Sequence, residues 1–318
     1  MKIVYMGTPD FSVPALEKMI EAGHEILAVV TQPDKPKGRS KELVFSPVKE
    51  CALKHGLKVM QPQKIREASA VEELKGLGAD IFVVAAFGQI LSQEVLDIPK
   101  YGCVNIHASL LPKYRGAAPI QESILNGDKE TGITIMQMNI GMDTGDILVT
   151  KTLPIEDDDT AGTLFDKLMY LGADLIVEAL PKIEKGELTP IPQNEAEATK
   201  CGKISKEMGN INWKDSAEKI SYLVRGMNPW PSAFTRLGGK MLKIWTVKVL
   251  DEQEASSVNP DGTSHEPGTV IAALKDNIIV STGDGLLEIT ELQLEGKKRM
   301  MVSDFLRGYT INPGDILG

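Results

Sequence analysis

The chain opens with K-I-V-Y-M-G-T-P at residues 2–9, continues with V-P-A-L-E-K-M-I-E-A at 13–22, and then reads E-I-L-A-V-V-T at 25–31. An apolar run, a tight turn, an amphipathic stretch and a second apolar run predict strand, helix, strand, which is the first βαβ step of a mostly parallel sheet. Gly7-Thr8-Pro9 supplies the turn, but the G-x-G-x-x-G of dinucleotide sites is missing, so NAD is not expected. The same alternation continues downstream. Strands are predicted over Lys2–Met6, Glu25–Thr31, Ile81–Ala85 and Val104–His107, with helices over Val13–Ala22, Ser46–His55, Val71–Leu77 and Thr160–Ile183. The expected fold is therefore α/β, with a Rossmann-like, mostly parallel sheet and helices on both faces. From Gly186 to about Lys206 apolar periodicity vanishes, which marks an interdomain linker. We divide the chain into a catalytic domain at 1–189, a linker at 190–206 and a C-terminal domain at 207–318. In the last, a helix over Ser216–Met227 precedes short β-rich runs at Phe234–Leu237, Met241–Val249, Gly268–Ala273, Ile278–Thr282 and Leu286–Leu294. That pattern predicts a small OB-like barrel, with the polar Gln253–Glu266 insert as a mobile loop.

A chain of 318 residues suits two cores better than one. No apolar run approaches the ~20 residues needed to span a bilayer, and strand-like sequence begins at Lys2, so neither a cleaved leader nor a membrane span is expected. The reading is a cytoplasmic protein. Cys51, Cys103 and Cys201 are too few and too scattered for a disulfide framework or a metal knuckle, and we assign them as reduced. His24, His55, His107 and His265 show no i, i+4 pairing with one another, so no metal is expected. The net charge of -9 argues against a polyanionic partner only until its distribution is considered. Residues 200–318 hold 15 of the 35 basic and 15 of the 44 acidic side chains, so the acid excess lies wholly before them. A neutral C-terminal segment with local basic clusters can meet nucleic acid.

The chemistry concentrates in Asn105-Ile106-His107-Ala108-Ser109-Leu110-Leu111-Pro112, followed by Gly116 and by Gly141-Met142-Asp143-Thr144-Gly145-Asp146. Alternation along a strand turns Asn105 and His107 to one side and Ile106 to the other. An amine attacking a one-carbon acyl group builds negative charge on oxygen while its nitrogen must lose a proton. Asn105 can donate to that oxygen without titrating. His107 can donate if protonated, and a carboxylate such as Asp143 would raise its pKa and take the amine proton directly or through water.

The string N-I-H-A-S-L-L-P-K-Y-R-G-A-A-P-I at 105–120, with G-M-D-T-G-D at 141–146, resembles the folate-dependent formyltransferases. Their shared pattern is N-x-H-x-S-L-L-P-x-x-x-G followed by a loop aspartate. M-G-T-P-D-F-S-V-P-A-L at 6–16 and T-Q-P-D-K-P-K-G-R at 31–39 are similar to the branch that acts on methionyl-tRNA. So are C-G-K-I at 201–204, N-I-N-W at 210–213 and R-G-M-N-P-W-P-S-A-F at 225–234, which extends the likeness over nearly the whole chain. The resemblance implies 10-formyltetrahydrofolate as formyl donor and the α-amino group of methionine on initiator tRNA as acceptor. It implies that Asn105 and protonated His107 stabilise the oxyanion while Asp143 supports the imidazolium. It places Ser109, Leu110, Leu111 and Pro112 at the folate site, with Phe87, Gly88, Ile90 and Leu91 as candidate walls of the pterin pocket. Arg39 takes the position of an important arginine in an insertion that approaches the tRNA acceptor end, beside Lys35, Lys37 and Lys41. In the second domain, Lys203, Lys206, Arg236, Lys240, Lys243 and Lys297-Lys298-Arg299 are candidate phosphate contacts, and Trp213, Trp230 and Trp245 are expected to pack. The expected partners are initiator methionyl-tRNA and folate, with no membrane and a monomeric chain. The rival readings are a formyltransferase for a small amine or nucleotide sugar, a folate hydrolase releasing formate, and a non-catalytic RNA-binding protein.

Overall fold

The computed structural model describes residues 1–36 and 43–318, which form two compact units. The first comprises Met1–Pro119, Glu130–Pro154 and Leu164–Gly202, and the second Ile120–Lys129, Ile155–Thr163 and Lys203–Gly318.

In the first unit a seven-stranded sheet runs in the order Ile147–Pro154, Glu130–Gln137, Cys103–His107, Ile81–Ala85, Lys2–Gly7, Glu25–Val30, Val59–Met60. The pairings from Cys103–His107 to Val59–Met60 are parallel. Parallel strands are covered on both faces, which is why they read as continuous apolar runs. Every residue of Ile81–Ala85 and of Cys103–His107 is buried. Val4, Met6, Val30, Phe82 and Val84 share one core cluster with Val71 and Leu74 of the Ala68–Leu77 helix. Helix ends follow local chemistry. Ser46 caps Pro47–Lys54 by accepting the Lys49 N–H at 3.1 Å, and Gly78, at φ 64, ends Ala68–Leu77 in the left-handed region that glycine tolerates. The Val13–Glu21 and Ala161–Lys185 helices also stand close to their predicted limits.

Three strands of this sheet were not predicted, the two-residue Val59–Met60 at one edge and two antiparallel strands at the other. Glu130–Gln137 pairs antiparallel with Cys103–His107 on one side and with Ile147–Pro154 on the other. Residues 131–136 are all buried although Thr131, Gly132 and Thr134 interrupt the apolar run, so neither alternation nor continuity identifies the strand. The link joining these two strands carries Asp143. An antiparallel return beside the His107 strand therefore brings a distant aspartate back to the imidazole.

The second unit is built on a six-stranded antiparallel sheet ordered Ala233–Leu237, Lys240–Val249, Leu286–Leu294, Ile278–Ser281, Val270–Ala273, with Met300–Met301 also paired to Leu286–Leu294. This agrees with the β-rich second domain that was expected. Ile220 and Val224 of the Ala217–Gly226 helix join Trp213, Ile244, Leu292 and Phe305 in its core. The Gln253–Glu266 insert is not a loop throughout: Glu252–Val258 is a helix started by a capping box, with Asp251 accepting the Glu254 N–H at 2.8 Å and Glu254 accepting the Asp251 N–H at 3.2 Å. A polar composition hid a helix whose cap is local. Among the described residues no helix is long and apolar enough to cross a membrane.

Candidate active site

Asn105 and His107 lie on the Cys103–His107 strand opposite Met136 and Thr134 of the antiparallel neighbour. Both are buried, Asn105 at 9% and His107 at 5% exposure. Alternate residues of a strand project to one face, so the Asn105 amide and the His107 imidazole stand side by side.

The His107 Nε2–H donates to the Tyr114 carbonyl at 3.0 Å, leaving Nδ1 to face the Asp143 carboxylate with Oδ2 at 3.8 Å. Asp143 Oδ2 accepts the Gly116 N–H at 2.9 Å. The His107 pKa is lowered from its ordinary value of 6.5, chiefly by burial, against the smaller upward pulls of Asp143 and of the Tyr114 carbonyl. The sequence reading had Asp143 raising this pKa. Asp143 does pull upward, but desolvation of the imidazolium is the larger effect, so the resting imidazole is neutral at neutral pH.

The Ser109–Pro112 turn is pinned from several sides. Thr134 Oγ1 donates to the Ser109 carbonyl at 2.7 Å and accepts the Leu111 N–H at 3.1 Å, while the Ser109 hydroxyl donates to the Lys113 carbonyl at 2.6 Å. Ser109 and Leu111 are buried, and Leu110 and Pro112 half-buried. Of the other folate candidates, Phe87 belongs to the core, while Gly88 and Ile90 are exposed, Ile90 at 72%. Lys35, Lys203 and Lys206 are exposed. Arg39, Lys37 and Lys41 lie outside the described residues. In the second unit Arg299 is engaged by Glu291 through two bonds of 2.6 Å and stands 4.5 Å from the Trp245 ring. The three tryptophans differ: Trp213 is in the core with its N–H on Thr235, whereas Trp230 is 54% exposed.

Sequence reasoning missed Tyr114, Arg115, Gln193, Glu195 and Thr134. Arg115 is 3% exposed, and its guanidinium donates to both Glu195 oxygens at 3.0 and 2.8 Å. Hydrogen bonding from Arg115 holds the Glu195 carboxyl below its usual pKa. The arginine directly before Gly116 in K-Y-R-G was the available signal for this. Gln193 gave none, because it sits in the polar segment read as linker. That segment is bound to the first unit, with Lys200–Cys201 pairing parallel to Arg115–Gly116.

Gly116 has φ 127, and a Cβ there would lie 2.1 Å from the Cys201 carbonyl oxygen. Gly116→Ala is expected to lower unfolding free energy by about 3 kcal/mol or more through backbone strain and displacement of that strand. An unchanged urea midpoint would show that the close approach is not maintained in solution.

All three cysteines are buried, and none is in a disulfide among the described residues. The trio Glu17, Cys51 and His55 brings possible ligand atoms within 4.8 Å of one another, with Cys51 and His55 at i, i+4 spacing. Burial, aided by the Glu17 charge, pushes the Cys51 thiol up to about 11, so its sulfur is a thiol at neutral pH, whereas a metal would bind the thiolate.

Comparison with known proteins matches residues 1–180 to the model of the formyl transferase family and residues 203–310 to that of the formyl transferase C-terminal domain. The chain belongs to the formyl transferase family. It is 52% identical over 314 residues to a methionyl-tRNA formyltransferase of Agathobacter rectalis, covering 99% of this chain and 98% of that protein. It is 49% identical to one from Caldanaerobacter subterraneus over the full length of both. Among solved structures, a Helicobacter canadensis N-formyltransferase in complex with folinic acid and dTDP-3-aminofucose aligns at TM-score 0.67 and 20% identity, over 94% of this chain and all of that one. The methionyl-tRNA formyltransferase of Clostridium thermocellum aligns at TM-score 0.54 and 20% identity, over 79% of this chain and 95% of that one. At such identities these structures establish the shared fold.

Proposed function

We propose that the chain transfers the formyl group of 10-formyltetrahydrofolate to the α-amino group of methionine on initiator methionyl-tRNA, giving formylmethionyl-tRNA for translation initiation. The observation that carries the reading is the gathering of a buried asparagine, a buried neutral imidazole and a carboxylate at one end of the Cys103–His107 strand. The Agathobacter and Caldanaerobacter relatives, matched end to end, favour methionyl-tRNA over a small amine as acceptor.

The donor supplies an activated one-carbon acyl group. Asn105 directs its amide N–H at the oxygen that becomes negative. His107, with Nε2–H tied to the Tyr114 carbonyl, keeps Nδ1 free to receive the proton lost by the attacking amine. Asp143 stabilises the resulting imidazolium, and the same proton is then available to the departing nitrogen. Ser109, Leu110, Leu111 and Pro112 line the folate side, with Phe87, Gly88 and Ile90 further out. Residues 1–189 house catalysis, 190–206 form the connection, and 207–318 bind tRNA. Arg39, Lys35 and Lys37 approach the acceptor end, and Lys203 and Lys206 meet phosphates. Neither reaction nor binding calls for a metal. We place the protein in the cytoplasm as a monomer.

Incubation with 10-formyltetrahydrofolate and charged initiator tRNA should yield formylmethionyl-tRNA detectable by mass spectrometry. Formylation of an amino sugar nucleotide in preference to the charged tRNA would reassign the acceptor. Formate release without tRNA would point to hydrolysis.

A further inference from the structure

The Gly141–Asp146 turn has an unusual support. Asp143 adopts φ 54, in the left-handed region that non-glycine residues avoid, so its backbone must be held from outside the turn. Gln193, half-buried and fifty positions away in the chain, contacts it. Its side-chain Nε2 donates to the Asp143 carbonyl at 2.9 Å and to the Gly145 carbonyl at 2.7 Å. Its Oε1 accepts from Arg115 Nε at 2.9 Å. The partners fix which way the amide points, since carbonyls only accept and guanidinium only donates. Arg115 is itself locked by Glu195.

Tyr114, Arg115 and Gly116 thus reach both halves of the site. The Tyr114 carbonyl holds His107, the Gly116 N–H holds the Asp143 carboxylate, and the Arg115 side chain holds the Asp143 backbone through Gln193.

We infer that Gln193 is a positioning residue that sets the Asp143 carboxylate beside the His107 imidazole. This rests on the reading of Asn105, His107 and Asp143 as the reacting groups. Gln193 touches no reacting atom. Its effect passes through the geometry of the turn, and a loosened turn leaves the imidazolium without its counter-charge.

The test compares Gln193→Glu, Gln193→Ala and Asp143→Asn in the full-length protein. Glutamate keeps the length of the side chain and an acceptor for Arg115, but sets an acceptor against two carbonyls. Gln193→Glu should lower kcat at least tenfold, with KM for both substrates within about threefold. The acid limb of the Gln193→Ala pH profile should move to lower pH, because His107 loses the upward pull of Asp143 and no new charge is introduced. In Gln193→Ala, amide hydrogen exchange should quicken across residues 141–146 and remain unchanged in the Ile81–Ala85 strand. This measurement also decides the matter if Gln193→Glu does not fold. Wild-type kcat in Gln193→Glu, or a wild-type pH profile or unchanged exchange across 141–146 in Gln193→Ala, would overturn the inference while an impaired Asp143→Asn left the catalytic reading standing. An unimpaired Asp143→Asn would remove the catalytic reading itself.

Discussion

Replacing His107 by alanine is expected to reduce turnover about a hundredfold or more, the scale associated with losing ~3–4 kcal/mol of transition-state stabilisation. The imidazole shares its strand face with Asn105, and its Nδ1 is left open toward Asp143 by the Nε2 bond to Tyr114. Asn105→Ala should produce a loss of the same order by removing the oxyanion donor. The two losses should not add fully if both groups act on one transition state. His107→Ala also removes one of the donors to the Tyr114 carbonyl, which keeps Cys201 Sγ at 3.4 Å, with a stability cost of about 1 kcal/mol. Single-turnover rates should therefore be taken well below both melting temperatures. A wild-type rate from His107→Ala would refute the assignment of the site.

Asp143→Asn is expected to lower turnover about a hundredfold and to shift the acid limb of the pH–rate profile downward. The substitution isolates charge, because the side-chain carbonyl of asparagine can still accept the Gly116 N–H that Asp143 Oδ2 accepts at 2.9 Å. The sign follows from His107. Its folded pKa lies below 6.5 because burial outweighs the attraction of Asp143, and removing that negative charge lowers it further. In the wild type, activity that needs a neutral imidazole is retained as pH falls through 6.5 and is lost only near the lower folded pKa. Stability behaves differently. Below 6.5 the unfolded imidazole takes up its proton first, so this group makes the fold less stable as pH falls from 6.5 to its folded pKa, and it contributes nothing above 6.5. An acid limb that rose in Asp143→Asn would mean that Asp143 does not act on His107 by charge.

The sequence by itself determined the parallel core and the reactive strand. The apolar run at Ile81–Ala85, the V-N-I-H alternation at Val104–His107 and the amphipathic stretches between strands are local signals, and burial on both faces leaves them little alternative. The alternation that pairs Asn105 with His107 is local too, and the motif string named the family before any contact was known. Other features depended on contacts distant in sequence. The strands Glu130–Gln137 and Ile147–Pro154 lack a periodic signature, yet their antiparallel return delivers Asp143 to His107. The protonation state was decided by desolvation, a property of everything packed around the imidazole. A segment that reads as polar linker supplies Gln193 and Glu195 because their partners are backbone carbonyls and one buried arginine, and no pattern along the chain marks such partners in advance.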